Sequence, residues 1–154
     1  MKRIIMLMAV MVAVLSMAGR TVDSLFEEFR TEKHATYVSI PPTAMGLAKM
    51  FTKDLKDDAK ISSMKILSIE KCSRGTKKKI LNAFKQCDFE GYEPIISVEK
   101  KNETTMVLAK SEDIYISELV LLSIEGKNVN IIKICGQFSP ENIDSVVDSA
   151  SKSI

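Results

Sequence analysis

Apolar residues at Val22, Leu25, Phe26 and Phe29 recur at spacings that form one helical stripe, with Glu27, Glu28 and Arg30 on the wet side. The pattern predicts a short helix over Thr21 to Arg30. Ala35-Thr36-Tyr37-Val38-Ser39-Ile40 is β-branched and aromatic and ends at Pro41-Pro42, which reads as a strand. Thr43 is placed to cap a second helix from Ala44 to about Phe51, with Met45, Leu47, Ala48 and Phe51 as its apolar contacts. Thr52 to Lys60, dense in lysine and aspartate, reads as a solvated loop or a frayed helix end.

A second strand is expected over Met64–Cys72, then a helix capped by Ser73 and running to about Gln86 on a stripe of Ile80, Leu81 and Phe84. Beyond Gly91 the period changes to that of strands. Tyr92–Glu99 and Thr104–Lys110 flank Lys100-Lys101-Asn102-Glu103, and Ile114–Ile124 and Val129–Cys135 flank Glu125-Gly126-Lys127-Asn128, which predicts two hairpins. Ser139-Pro140-Glu141 is a helix start: a capping serine, proline at the first helical position, and an acid near the positive end of the dipole. Ile143, Val146 and Val147 supply that helix's stripe.

This order predicts an α+β fold with a largely antiparallel sheet and helices packed mainly on one face. Leu119-Val120-Leu121-Leu122 breaks the alternation of a half-solvated strand, so both faces there are expected to be covered. One layer of helices covers one face. The amino-terminal helix, whose stripe has no other assigned place, is the preferred cover for the second, ahead of another protein chain.

The chain opens on Met1-Lys2-Arg3, an apolar run from Ile4 to Leu15 and the small-residue stretch Ser16-Met17-Ala18-Gly19. That is the layout of a secretory signal peptide over residues 1–18, cut after Ala18, and its apolar run is too short for a membrane span. Residues 19–154 are then one domain of ample size for its own core, with no integral membrane segment. The leader carries two of the 22 basic residues and none of the 20 acids, so the net charge of +2 belongs to the precursor and the exported domain is neutral. Neutrality removes the general electrostatic pull toward nucleic acid, which is not an expected partner.

No residue is assigned a catalytic, cofactor-binding or metal-ligating role, and no cofactor is implied. His34, the single histidine, sits beside Lys33 in an expected surface loop, with no positioned nucleophile. Lys77-Lys78-Lys79, with Lys71 and Arg74 nearby, is the densest basic patch. On a helix it spreads over the polar surface, and no aromatic is interleaved for base stacking, so a solvated face is the reading, ahead of an anionic ligand or lipid head group. Cys72 and Cys87 flank the expected helix, whose rise of about 1.5 Å per residue sets them roughly 20 Å apart. They cannot bridge to each other, because a disulfide needs Cα atoms within about 7 Å. Cys135 could meet either one, although three buried thiols acting as small apolar residues is the preferred reading. Asp57-Asp58 and Glu112-Asp113 read as loop acids, and Asn102-Glu103-Thr104 as a sequon that matters only in a glycosylating host.

The stretches Val22-Asp23-Ser24-Leu25-Phe26-Glu27-Glu28-Phe29, Tyr37-Val38-Ser39-Ile40-Pro41-Pro42, Met45-Gly46-Leu47-Ala48-Lys49-Met50-Phe51 and Glu70-Lys71-Cys72-Ser73 resemble the DUF4252 family of exported Bacteroidetes proteins, over about residues 21 to 150. The resemblance implies a Gram-negative envelope and hence a periplasmic location, and it offers no catalytic residues to carry over. The expected function is a non-catalytic binding or interaction module of the cell envelope, with an envelope protein or a second copy as partner. The rivals are an enzyme whose site is dispersed in sequence and a structural oligomer.

Overall fold

The computed structural model describes residues 21–44 and 60–142. Helix α1 (Val22–Phe29) begins at Thr21, whose side chain accepts from the Ser24 amide while the Ser24 hydroxyl accepts from the Thr21 amide, a reciprocal cap. Strand β1 (Ala35–Ile40) leads into a single 3₁₀ turn, Pro42–Ala44. Strand β2 (Lys60–Ile69) is followed by helix α2 (Arg74–Lys85), capped by the Ser73 hydroxyl on the Thr76 amide. Four strands then run consecutively: β3 (Tyr92–Lys100), β4 (Glu103–Glu112), β5 (Tyr115–Glu125) and β6 (Asn128–Phe138).

All six form one sheet in the order β1-β2-β6-β5-β4-β3, every pair antiparallel. The tight connections Lys101-Asn102, Asp113-Ile114 and Gly126-Lys127 fold β3 to β6 into a meander. Gly126 at φ +59 supplies backbone freedom in the last of these turns. Helix α2 carries the chain from β2 to the far edge, and the meander returns it beside β2.

Alternation along the strands sorts the core into two clusters. On one face Leu67, Val120, Leu122, Ile131 and Val129 pack under Leu25, Phe26 and Phe29 of α1 and Ile80, Ala83 and Phe84 of α2. On the other lie Ile66, Val107, Leu119, Leu121, Ile132, Ile134 and Phe138. Each such large side chain, fully withdrawn from water, stabilises the fold by about 1.5–3 kcal/mol. Ile61, Ile96 and Ile116 join the second cluster because bulges at Ile61/Ser63, Pro94/Ile96 and Ile116/Glu118 shift their strands by one residue and re-aim the side chains.

Both faces at Leu119–Leu122 are buried, as the broken alternation predicts, but the amino-terminal helix does not cover the second. Its aromatic stripe shares a cluster with α2, and Asp23 at its first turn reaches Lys65 at 3.0 Å and Lys133 at 3.2 Å, residues of the same sheet face. That polar tether and the stripe point the same way and fix the choice of face. The second cluster is equally closed to solvent, although neither α1 nor α2 contributes to it.

Strand β2 starts and ends earlier than its apolar residues suggest, because Lys71 turns the chain at φ +52 ahead of the Ser73 cap. Thr43 stands inside the Pro42–Ala44 turn, where the Ala44 amide donates to the Pro41 carbonyl at 3.0 Å. The helix expected to reach Phe51 and the stripe Ile143, Val146 and Val147 lie outside the described residues, as does the leader.

Candidate functional site

A cleft of about 720 Å³ opens at the end of the sheet where the chain leaves β2, lined by Lys71, Cys72, Ser73, Arg74, Lys77, Asn102, Gly126 and Lys127. Its wall is assembled from separate parts of the chain. The Cys72 amide donates to the Lys127 carbonyl at 2.7 Å, which fastens the β2–α2 loop to the β5–β6 turn. The Gly126 amide donates to the Asn102 carbonyl at 2.9 Å, which fastens that turn to the β3–β4 turn. Lys77 Nζ donates to the Gly126 carbonyl at 2.7 Å, so one ammonium is already held at the rim.

Lys71, Arg74, Lys77 and Lys127 therefore converge, with no carboxylate among the lining residues. The first turn of α2 carries no acid, so the positive end of the helix adds to their field. Above Gly75 nothing stands within 4 Å of where a Cβ would be, so the space over that turn is open. Cys72, at the base, is buried, and burial pushes its thiol up, aided by Glu32 and opposed by Lys77. It is a neutral wall residue and not a thiolate.

The basic patch thus splits. Arg74 and Lys77, three apart on α2, fall on one side and are joined by Lys71 from the preceding turn, whereas Lys78 and Lys79 do not line the cleft. The expectation that these residues spread over the polar surface rather than forming a groove is corrected for Lys71, Arg74 and Lys77, which line one cleft. Lys127, in a hairpin turn fifty residues from Lys77 in sequence, was not part of that expectation, and no local pattern marks it.

A different polar group crosses the helix-covered face. Tyr92 donates its hydroxyl proton to Glu118, the Cys135 thiol lies 3.7 Å from the other Glu118 oxygen, and Lys110 Nζ stands 5.7 Å from the Tyr92 ring centroid. Burial raises the Tyr92 hydroxyl well above the usual tyrosine range, and the Glu118 carboxylate raises it further. Burial also lifts Cys135, with Glu118 adding and Ser63 and Lys133 opposing. Both groups keep their protons at neutral pH, which suits a structural bridge between β3, β5 and β6 and not a nucleophile or base.

A second, smaller cleft of about 340 Å³ at the opposite end of β5 is lined by Glu112, Asp113, Tyr115, Ile116, Ser117, Gly136 and Gln137. His34 is exposed at φ +64 in the α1–β1 turn, and its carbonyl accepts from the Glu70 amide at 3.3 Å. That is a turn residue's role. Cys72, Cys87 and Cys135 form no disulfide with one another. Among the described residues no group of three or more His, Cys, Asp or Glu could hold a metal ion, and no helix is long and apolar enough to cross a membrane.

The model of a domain of unknown function, DUF4252, matches residues 29–146, and the chain belongs to that family. No curated protein and no solved structure matches it.

Proposed function

We propose that this DUF4252 protein is a non-catalytic binding module of the cell envelope that holds a phosphate-bearing ligand in the cleft between α2 and the β5–β6 turn. The observation that carries the reading is the convergence of Lys71, Arg74, Lys77 and Lys127, from two parts of the chain, on one cleft lined by no carboxylate. Like charges brought together repel, and a bound anion relieves that repulsion. At about 4 Å in water each unit pair is worth about 1 kcal/mol before screening, and a dianion doubles it.

The reading includes export through a leader at residues 1–18, a periplasmic location and one α+β domain over 19–154 with helices mainly on the face that α1 occupies. The basic start, short apolar core and small residues of 1–18 support export, and the mass of the exported protein tests it: an amino terminus at or beside Gly19 is expected. An enzyme with a dispersed site, or a structural oligomer, is the weaker alternative, since the grouping of Tyr92, Glu118 and Cys135 holds its protons.

Calorimetric titration of the purified protein with inorganic phosphate, and co-sedimentation with phosphatidylglycerol or phosphatidylcholine vesicles, distinguish a free phosphate from a lipid head group. Binding that R74E/K127E abolishes is expected in at least one arm. Equal binding by the variant, or none by the natural protein in either arm, defeats the proposal.

A further inference from the structure

The two edges of the sheet are built differently. Edge strand β3 is broken by a bulge at Pro94/Ile96 and carries Glu93, Glu99 and Lys100, the devices that keep an edge from pairing with another chain. Edge strand β1 has none of them: Ala-Thr-Tyr-Val-Ser-Ile holds no charge, no proline and no bulge, and its register with β2 runs unbroken from Ala35↔Ile69 to Ile40↔Met64.

The hydrogen-bonding groups on the free side of β1 follow from that register. The Glu70 amide donates to the His34 carbonyl, so in the antiparallel alternation Thr36, Val38 and Ile40 direct their backbone groups toward β2. Ala35, Tyr37 and Ser39 direct theirs outward. The Ala35 amide is taken by the Glu32 carbonyl at 3.1 Å, which leaves the outward amides and carbonyls of Tyr37 and Ser39 as the pairing groups. Thr36, Val38 and Ser39 are exposed, Val38 at 41%, and among the described residues no strand pairs with this edge on its outer side.

We propose that the edge pairs with β1 of a second copy, antiparallel and centred on Val38, so that two six-stranded sheets become one. In that register Tyr37 of each copy exchanges a pair of backbone hydrogen bonds with Ser39 of the other, and the two Val38 side chains meet across the axis. The arrangement is self-complementary because the pairing groups lie symmetrically about Val38. A second copy of an uncharged strand also meets no like charge. It closes at the dimer, since the edges left over are the two guarded β3 strands. Among the described strands no other edge is free of charge and unbroken in register.

The test is sedimentation equilibrium of the purified protein with V38K, S39P and, at the guarded edge, I95K. Ser39 spends its amide outward, so proline there removes a pairing donor without breaking a β1–β2 bond. The natural protein and I95K are expected at twice the chain mass, and V38K and S39P at the chain mass with unchanged far-ultraviolet circular dichroism. V38C provides a measurement independent of those variants' folding. Residues directly opposite at a non-hydrogen-bonded site have Cα atoms about 4.5 Å apart, inside the range of about 4.4–6.8 Å that a disulfide spans. V38C should therefore form a reducible covalent dimer, while T36C, which faces Ile40 of the other copy, should not. A natural protein that stays monomeric up to about 1 mM, the limit of weak specific association, overturns the proposal. So does a dimer that survives both V38K and S39P, or a T36C dimer without a V38C dimer.

Discussion

Replacing Phe84 with alanine removes the side chain that seats α2 on the sheet. Phe84 is 1% exposed, and its ring lies 5.1 Å from that of Phe89, which in turn meets Tyr92 edge-on at 5.7 Å. Deleting a buried phenylalanine costs about 3–5 kcal/mol through lost burial and the cavity left behind. At roughly 2–4 °C per kcal/mol for a chain of this size, Tm should fall by roughly 6–20 °C. Urea unfolding of the natural protein and F84A should show a lower midpoint at unchanged slope. F89A, at a half-buried ring, should cost less, and the double variant should reveal a coupling of about 0.5–1.5 kcal/mol between the rings. A loss below about 1 kcal/mol for F84A, the level of an ordinary surface change, would refute the packing of α2 against this face.

Burial raises the Asp23 carboxyl, but Lys65 and Lys133 outweigh it and hold it below its ordinary value, so its contribution is present above the unfolded carboxylate range and is lost as pH falls through the lower folded value. Because Asp23 is half exposed, D23N should cost only about 0.5–1 kcal/mol at neutral pH and flatten the acid limb of the pH–stability curve; an unaltered limb would contradict the tether. Tyr92 holds its proton above the unfolded tyrosine range, so its contribution is full below that range and declines as pH rises beyond it. Ultraviolet titration should show Tyr92 holding its proton beyond the ordinary tyrosine range, and E118Q should bring it down; a Tyr92 that E118Q leaves unmoved would contradict the bridge. Cys72 and Cys87 should react with a thiol reagent only on unfolding, with no 72–87 disulfide in unreduced peptide maps; such a crosslink would contradict α2.

The local grammar of the chain carried most of the fold. Thr21 and Ser73 cap helices whose stripes are buried, Gly126 sits in the turn it suits, and the hydrophobic run at Leu119–Leu122 announced a strand covered on both sides. Choice of face was not legible, because a stripe such as Leu25, Phe26 and Phe29 states that it will be buried without stating where. The deciding contacts, Asp23 with Lys65 and Lys133, join residues remote in sequence. Bulges were equally hidden: Ile61 and Ile116 have the parity of one face and pack on the other. At the cleft, the basic patch around Lys71, Arg74 and Lys77 was legible as a cluster but not as the wall of a groove, and Lys127 arrives only through the meander.

Amide chemical shifts would report phosphate in this cleft residue by residue. Titrating inorganic phosphate into the isotope-labelled protein at low ionic strength should perturb, saturably, the amides of Lys71 to Lys77 and of Gly126 and Lys127. K127A should weaken the binding by about five- to tenfold, the equivalent of about 1 kcal/mol per cation removed. Saturable shifts elsewhere with these amides silent, or shifts here that K127A and R74A leave unchanged, would contradict the account.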